Sequence, residues 1–180
     1  MTYWIVAALV IAGFALYLSS TAGRLDRLHL RLEADRLALD RQLQHRCGVA
    51  AELVAAGELD PASALLVGQA IHQARTADRE DVVAWAGAES NLTRALGLAL
   101  EDPDDTAELS RDPATGEVLR ELAGACRRVQ LTRRFLDDGV NACRVMRNHR
   151  MVRWFRLAGH APWPMGIDFE DTPPEGLTVG

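Results

Sequence analysis

The residues with catalytic or ligating potential are few and scattered. Five histidines (His29, His45, His72, His149 and His160) include no H-x-x-x-H pair, the spacing that turns two imidazoles toward one metal on a helical face. Three cysteines (Cys47, Cys126 and Cys143) lack C-x-x-C spacing and read as reduced, buried thiols. Ser63 and Ser90 have none of the strand-turn-helix context that strains a nucleophilic serine. Glu101, Asp102, Asp104 and Asp105 lack the glycine-punctuated alternation of a calcium loop and read as a solvated loop. All 20 strongly basic side chains are Arg. Without Lys, Schiff-base and pyridoxal chemistry and lysine-dependent phosphate loops are excluded. No catalytic residue, metal ligand or cofactor site is assigned from sequence. A hydrolase is kept as an alternative, with a site forming only in the folded chain around His72, Glu89 and Asp138.

The elements that would position such residues are helical. The chain has 180 residues and is 48% apolar, with Ala and Leu making up more than a quarter of it and few β-branched or aromatic residues. No charged side chain precedes Arg24, and Tyr3 to Leu18 is almost wholly apolar. As a helix, residues 1–23 rise roughly 35 Å, enough for the ~30 Å hydrocarbon core of a bilayer. Tyr3, Trp4, Tyr17, Arg24 and Arg27 are the expected interface anchors of this span. Arg24, Arg27, Arg31 and Arg36 follow the span and no basic residue precedes it, which predicts an outside N-terminus with 24–180 cytoplasmic in a single-pass cell-membrane protein. The alternative is a signal peptide cleaved near Ser20-Thr21-Ala22, releasing a secreted or periplasmic helical domain. The missing basic n-region argues against it.

Leu25, Leu28, Leu32, Leu39, Leu43, Ala50, Leu53 and Val54 recur on one face of a long helix ending at Gly57. Asp60-Pro61 caps a second helix over about 61–77 carrying Leu65, Leu66, Ala70 and Ile71. The charged patch 78–81 marks an interruption or joint. A third helix over 80–101 turns Val82, Trp85, Leu92, Leu96 and Leu100 inward, with Glu89 and Arg94 facing away. Pro103 and its acidic neighbours begin a loop. Asp112-Pro113 then starts a last helix, from about 115 to 157, with Leu119, Leu122, Cys126, Val129, Leu136, Val140 and Cys143 at 3/4 spacing. Residues 160–180 hold four Pro, four acids and no base, the composition of a loosely ordered tail. The predicted architecture is all-α: a transmembrane anchor (1–23), an antiparallel helical bundle with two long helices of coiled-coil-like periodicity (24–159), and the tail (160–180).

At this point the sequence resembles the LemA family of membrane-anchored helical proteins. One block runs from Leu25-Asp26-Arg27-Leu28-His29 through Asp40-Arg41-Gln42-Leu43-Gln44-His45-Arg46 to Glu52-Leu53-Val54. It is similar to the family's R-L-R-N-R-V, I-D-V-Q-L-K-R-R and P-N-L-V series. A second block, Thr132-Arg133-Arg134-Phe135-Leu136-Asp137-Asp138-Gly139-Val140-Asn141, is similar to A-R-R-F-Y-N-D-A-V. Leu37 stands near the family's Trp, Ala50-Ala51-Glu52 replaces I-P-N, and Leu136-Asp137 replaces Y-N, so the chain resembles a divergent member. The resemblance implies an N-terminal anchor and a helical domain without an established reaction or cofactor.

The net charge of −5 conceals four blocks. Residues 1–57 carry six Arg against five acids, 58–117 four against thirteen, 118–156 ten against three, and the remainder only four acids. Two explanations stand: the basic last helix pairs internally with the acidic middle helices, or its Arg surplus faces an anionic partner. The candidate interaction surface is Arg127, Arg128, Arg133, Arg134, Arg144, Arg147, Arg150, Arg153 and Arg156. Anionic lipid is one possible contact; nucleic acid is disfavoured by the negative total and the lack of a recognition motif. The expected function is non-enzymatic: a membrane-anchored module for docking or scaffolding a protein partner, a larger membrane complex or a second copy.

Overall fold

The computed structural model describes residues 2–148, 154 and 163–177. The expected all-α fold is present. Among the described residues five helices follow one another: α1 (Thr2–Ala56), α2 (Pro61–Thr76), α3 (Val82–Ala99), α4 (Pro103–Leu109) and α5 (Pro113–Asn148), with a short 3-10 turn at Glu175–Leu177. The two long helices are α1, with 55 residues, and α5, with 36. The segment expected to loop after Pro103 instead forms α4. Asp102 accepts from Asp104 N there, and Pro103 needs no amide partner in a first turn.

The acids of the middle segment make the helix starts. Asp60 accepts from Ala62 N and Ser63 N, Asp81 from Val83 N and Ala84 N, and Asp112 from Thr115 N. Gly57, at φ +77°, takes the left-handed conformation that ends α1.

The chain divides into two compact units. Unit 1 comprises residues 1–36 and 135–166; unit 2 comprises 37–134 and 167–180. In unit 1, α1 and α5 pair antiparallel, with His29 Nε2 3.8 Å from Cys143 Sγ. Gly139 lies opposite Leu32 and Asp35. Leu32, Leu136, Val140 and Cys143 are buried there, as their spacing required.

In unit 2, Cys47 Sγ contacts Ile71 O at 3.8 Å, and Leu43, Gln44 and Cys47 face Ala74 and Arg75, so α2 runs back along α1. Leu66 and Leu98 line one groove while Gln73 accepts from Asn91, so α3 reverses again. His45 bonds Glu121 across to α5. The core combines Ala50, Leu53, Val67, Ala70, Ile71, Ala74, Leu92, Leu96, Leu119 and Leu122 with neighbouring small residues. Packing decides two positions here. Leu65 and Leu66 are 75% and 41% exposed, because α2 packs through the narrower Val67-Ala70-Ile71-Ala74 face. Glu89, expected outside, is buried.

The tail also differs from expectation. Ile167 and Phe169 are buried, and Gly176 N donates to Leu100 O at 3.0 Å. Residues 167–177 therefore form a strap on unit 2. A polar, proline-rich segment is ordered because α5 supplies its partners: Arg133 pairs with Asp168 and Asp171 and lies 5.0 Å from the Phe169 ring, and Gln130 donates to Asp171 O.

Candidate functional site

The two charge-bearing positions buried in unit 2 lie on apolar stripes. Leu39, Leu43, Arg46, Ala50 and Leu53 occupy one face of α1; Trp85, Glu89, Leu92 and Leu96 occupy one face of α3. Folding these stripes together forces Arg46 onto Glu89, each side chain only 2% exposed. Arg46 Nη2 donates to Glu89 Oε2 at 2.8 Å, and Nη1 donates to Thr93 Oγ1 at 2.9 Å. Thr93 Oγ1 in turn donates to Glu89 O at 3.1 Å. Arg46 Nε is buried with no hydrogen-bond partner among the described residues.

A small cavity of about 230 Å³ adjoins this pair, lined by Leu43, Gln44, Cys47, Ala74, Arg75, Arg79 and Glu89. Arg79 closes the end of α2, donating to Ala74 O and Ala77 O, binding Asp40 at 3.1 Å and lying 5.4 Å from the Trp85 ring centroid. Burial pushes the Glu89 carboxyl above its ordinary range, against the opposing pull of the Arg46 charge and hydrogen bond. The Trp85 indole acts in Arg46's direction, although no hydrogen bond of good geometry joins it to the carboxylate. Burial likewise raises the Cys47 thiol, with Arg75 opposing. A thiol held protonated is a poor nucleophile, and a carboxylate already bonded to guanidinium is a poor base. The arrangement suits fixing the register of α1 against α3 better than catalysis.

His72, Glu89 and Asp138 are not brought together as one site: His72 is exposed on α2, Glu89 is enclosed by Arg46, and Asp138 is exposed in unit 1. Among the described residues no group of three or more His, Cys, Asp or Glu is placed to hold a metal. All three cysteines are buried and free.

The proposed arginine surface is distributed over both units. In unit 2, Arg127 reaches its own helix at Ala123 O, Arg128 pairs with Glu121, Arg133 holds the strap, and Arg134 is exposed. In unit 1, Arg144 donates to Pro164 O at 3.0 Å, and Arg147 lies 5.1 Å from the Trp163 ring. Arg150, Arg153 and Arg156 fall outside the described residues. Arg120 and Arg128 of α5 pair with Glu117 and Glu121 of the same helix and Arg133 with Asp168 and Asp171 of the strap, while several middle-segment acids serve as caps. The interface anchors Tyr3, Trp4, Tyr17, Arg24 and Arg27 are all exposed on α1. An 18-residue window of this helix has a mean hydropathy of 2.0, with none of it buried in the protein. Helix α1 is long and apolar enough to cross a membrane.

No family model matches the chain, and no curated protein or solved structure matches it.

Proposed function

We propose that the chain is a single-pass membrane protein, with its N-terminus outside and residues 24–180 in the cytoplasm, acting by contact rather than by catalysis. The observation that carries this reading is the apolar first part of α1, whose side chains find no burial within the protein. Exposing Tyr3, Trp4, Ile5, Leu9, Ile11 and Leu16 to water is unfavourable at about 25 cal/mol per Å² of apolar surface, and a bilayer relieves it. The same helix continues without a break into unit 2, so an anchored α1 would hold the helical domain at the membrane.

The docking reading is supported by apolar surface outside the span. Leu66 and Leu98 flank a groove of about 340 Å³ between α2 and α3, with Gln69, Gln73 and Asn91 supplying hydrogen-bonding groups. Leu65 of the same helix is also exposed. Such an apolar patch with polar groups around it suits a protein partner of a membrane complex. The resemblance to the LemA family supports the same anchored, helical, non-enzymatic reading.

The test is a photo-crosslinking residue at Leu66 in the full chain, activated in intact membranes. Adducts that disappear in a Leu66→Ser, Leu98→Ser background are expected. A clean absence of adducts, with the chain retained in carbonate-washed membranes, would remove the docking reading and leave the anchor.

A further inference from the structure

We infer that the side of α1 turned away from its packed face is a parallel interface with a second copy of this chain, running from the bilayer into water. This rests on the reading of α1 as a membrane span and deepens it by naming what lies alongside the helix.

Seven residues make about two helical turns, short by about 20°, so residues seven apart fall on one slowly drifting line. On α1 that spacing joins Leu9, Leu16, Gly23, Leu30 and Leu37. The four leucines are 67%, 73%, 65% and 65% exposed. Buried Leu32 and Leu39 each stand two residues, about 200°, from Leu30 and Leu37, so the line lies on the far side from the packing of α1. Lipid covers exposed leucines within a bilayer. Leu30 and Leu37 lie about 10 and 20 Å past Gly23, beyond the apolar run, where lipid no longer covers them.

The flanks of the line identify the partner. Three residues on from its members, along one flank, come Ala12, Ser19, Asp26 and Glu33. Four residues on, along the other flank, come Gly13, Ser20, Arg27 and Ala34, with Arg31 further around that same side. All nine are exposed. Within the span both flanks are therefore small, which lets two helix backbones approach, and a Cβ on Gly13 would meet nothing within 4 Å. Beyond the span the flanks take opposite signs. Asp26, Arg27 and Glu33 make no ion pair among the described residues, and Arg31 meets Asp35 only at 3.8 Å with its own side chain 71% exposed.

Two parallel helices related by a two-fold axis bring the acidic flank of each against the basic flank of the other. Asp26 then stands nearly level with the partner's Arg27. An antiparallel pair would set acid against acid and arginine against arginine. Copies inserted in one bilayer with the same orientation are parallel, the arrangement that the flanks match. A leucine line with complementary charges on its two sides complements itself, which is why a second copy is favoured over a different protein.

The experiment is mild oxidation of single-cysteine variants of the full chain in intact membranes. Cys47, Cys126 and Cys143 are buried, so the unsubstituted chain is expected to give no cross-link. Leu30→Cys and Leu37→Cys should each give a disulfide-linked product at twice the chain mass, because a two-fold seam sets a line residue beside its own copy. Arg24→Cys, about 100° around the helix from Gly23, should link several-fold less. Asp26→Arg with Glu33→Arg, in the Leu30→Cys chain, should lower the linked share several-fold by setting arginine against arginine. Adding Arg27→Glu and Arg31→Glu should restore it, a rescue that a folding defect would not show. A linked product of another mass would overturn the second copy in favour of a different membrane protein. Equal linking at Leu30 and Arg24, or none at either line position, would overturn the seam while a chain retained in carbonate-washed membranes keeps the span. Release of the chain by carbonate would instead overturn the span, and the parallel seam with it.

Discussion

Arg46 in unit 2 and the Arg24 and Arg27 pair in unit 1 stand in opposite environments. In unit 2, Arg46 is enclosed and bonded to Glu89 and Thr93, so its charge is spent inside the protein. In unit 1, Arg24 and Arg27 are exposed on α1 beside the apolar run. The same residue type thus serves internal register in one place and an external surface in the other. What separates the cases is the helical face: Arg46 replaces an apolar residue on a packed stripe, whereas Arg24 and Arg27 are exposed among the described residues. A buried pair gains little net stability, because each ion loses its hydration; removing only one partner leaves a charge stranded.

The largest expected effect breaks the comparison on the unit 2 side. Arg46→Ala, or Glu89→Ala alone, should destabilise unit 2 by about 3–5 kcal/mol, measured by urea unfolding of the full chain in mild detergent. Replacing both, as Arg46→Met with Glu89→Leu, should recover most of that loss. If the single changes cost less than about 1 kcal/mol, the pair is not the buried hub described above. The strap offers the next effect. A Cβ on Gly176 would meet Leu100 O at 2.7 Å and would crowd Thr106 Oγ1. Gly176→Ala should therefore cost about 1–3 kcal/mol and speed amide exchange at Gly176, leaving exchange in unit 1 unchanged.

Much of the helical framework was legible because its signals are local. Gly57, Asp60-Pro61 and Asp112-Pro113 mark boundaries through their own backbone chemistry, and the α5 stripe from Leu119 to Cys143 is buried at every position named. The buried pair was also written in the spacing, since Glu89 falls on the Trp85-Leu92-Leu96 stripe and Arg46 on the Leu43-Ala50 stripe. The assumption that charges face water overrode the period. Two matching interruptions of opposite sign on two stripes were the available signal. The strap was not legible in this way, because its order comes from Arg133 and Gln130 on a different element. Nor was the exposure of Leu65, which depends on which face of α2 finds small neighbours. The acidic middle block offered a pairing surface, yet several of its Asp residues cap helix amides two or three residues on.

Those caps give a smaller, pH-dependent test. Asp81→Ala should cost about 1 kcal/mol, through loss of two amide acceptors at the start of α3. Asp60 and Asp112 are held below the usual carboxylate value of 3.8, Asp60 by Ser63 and Asp112 by Thr115. A depressed native carboxyl stabilises fully above its unfolded value and loses that contribution as pH falls through the native one. The difference between wild type and the Asp60→Asn, Asp112→Asn chain should be present at neutral pH and fade as the pH falls below the usual carboxylate value through the depressed native one. Glu89 works with the reverse sign. Its raised native carboxyl makes the folded state the better proton binder, so its contribution worsens as pH rises from the unfolded value through the native one. A wild-type excess that persists unchanged to pH 2 would mean that the caps act by geometry alone.

The smallest effect on stability carries the sharpest contrast. Arg24→Gln with Arg27→Gln should change the unfolding free energy of the full chain in detergent by no more than about 0.5 kcal/mol, because both side chains are exposed and make no ion pair among the described residues. Set beside Arg46→Ala, this predicts a separation of several kcal/mol between arginines that composition alone treats as equivalent. A loss of more than about 1 kcal/mol would show that the α1 arginines are tied into unit 1 after all, and the contrast between the units would collapse. A silent pair in detergent would establish that their charge is directed outward. The helical face on which an arginine stands then determines whether its removal costs stability.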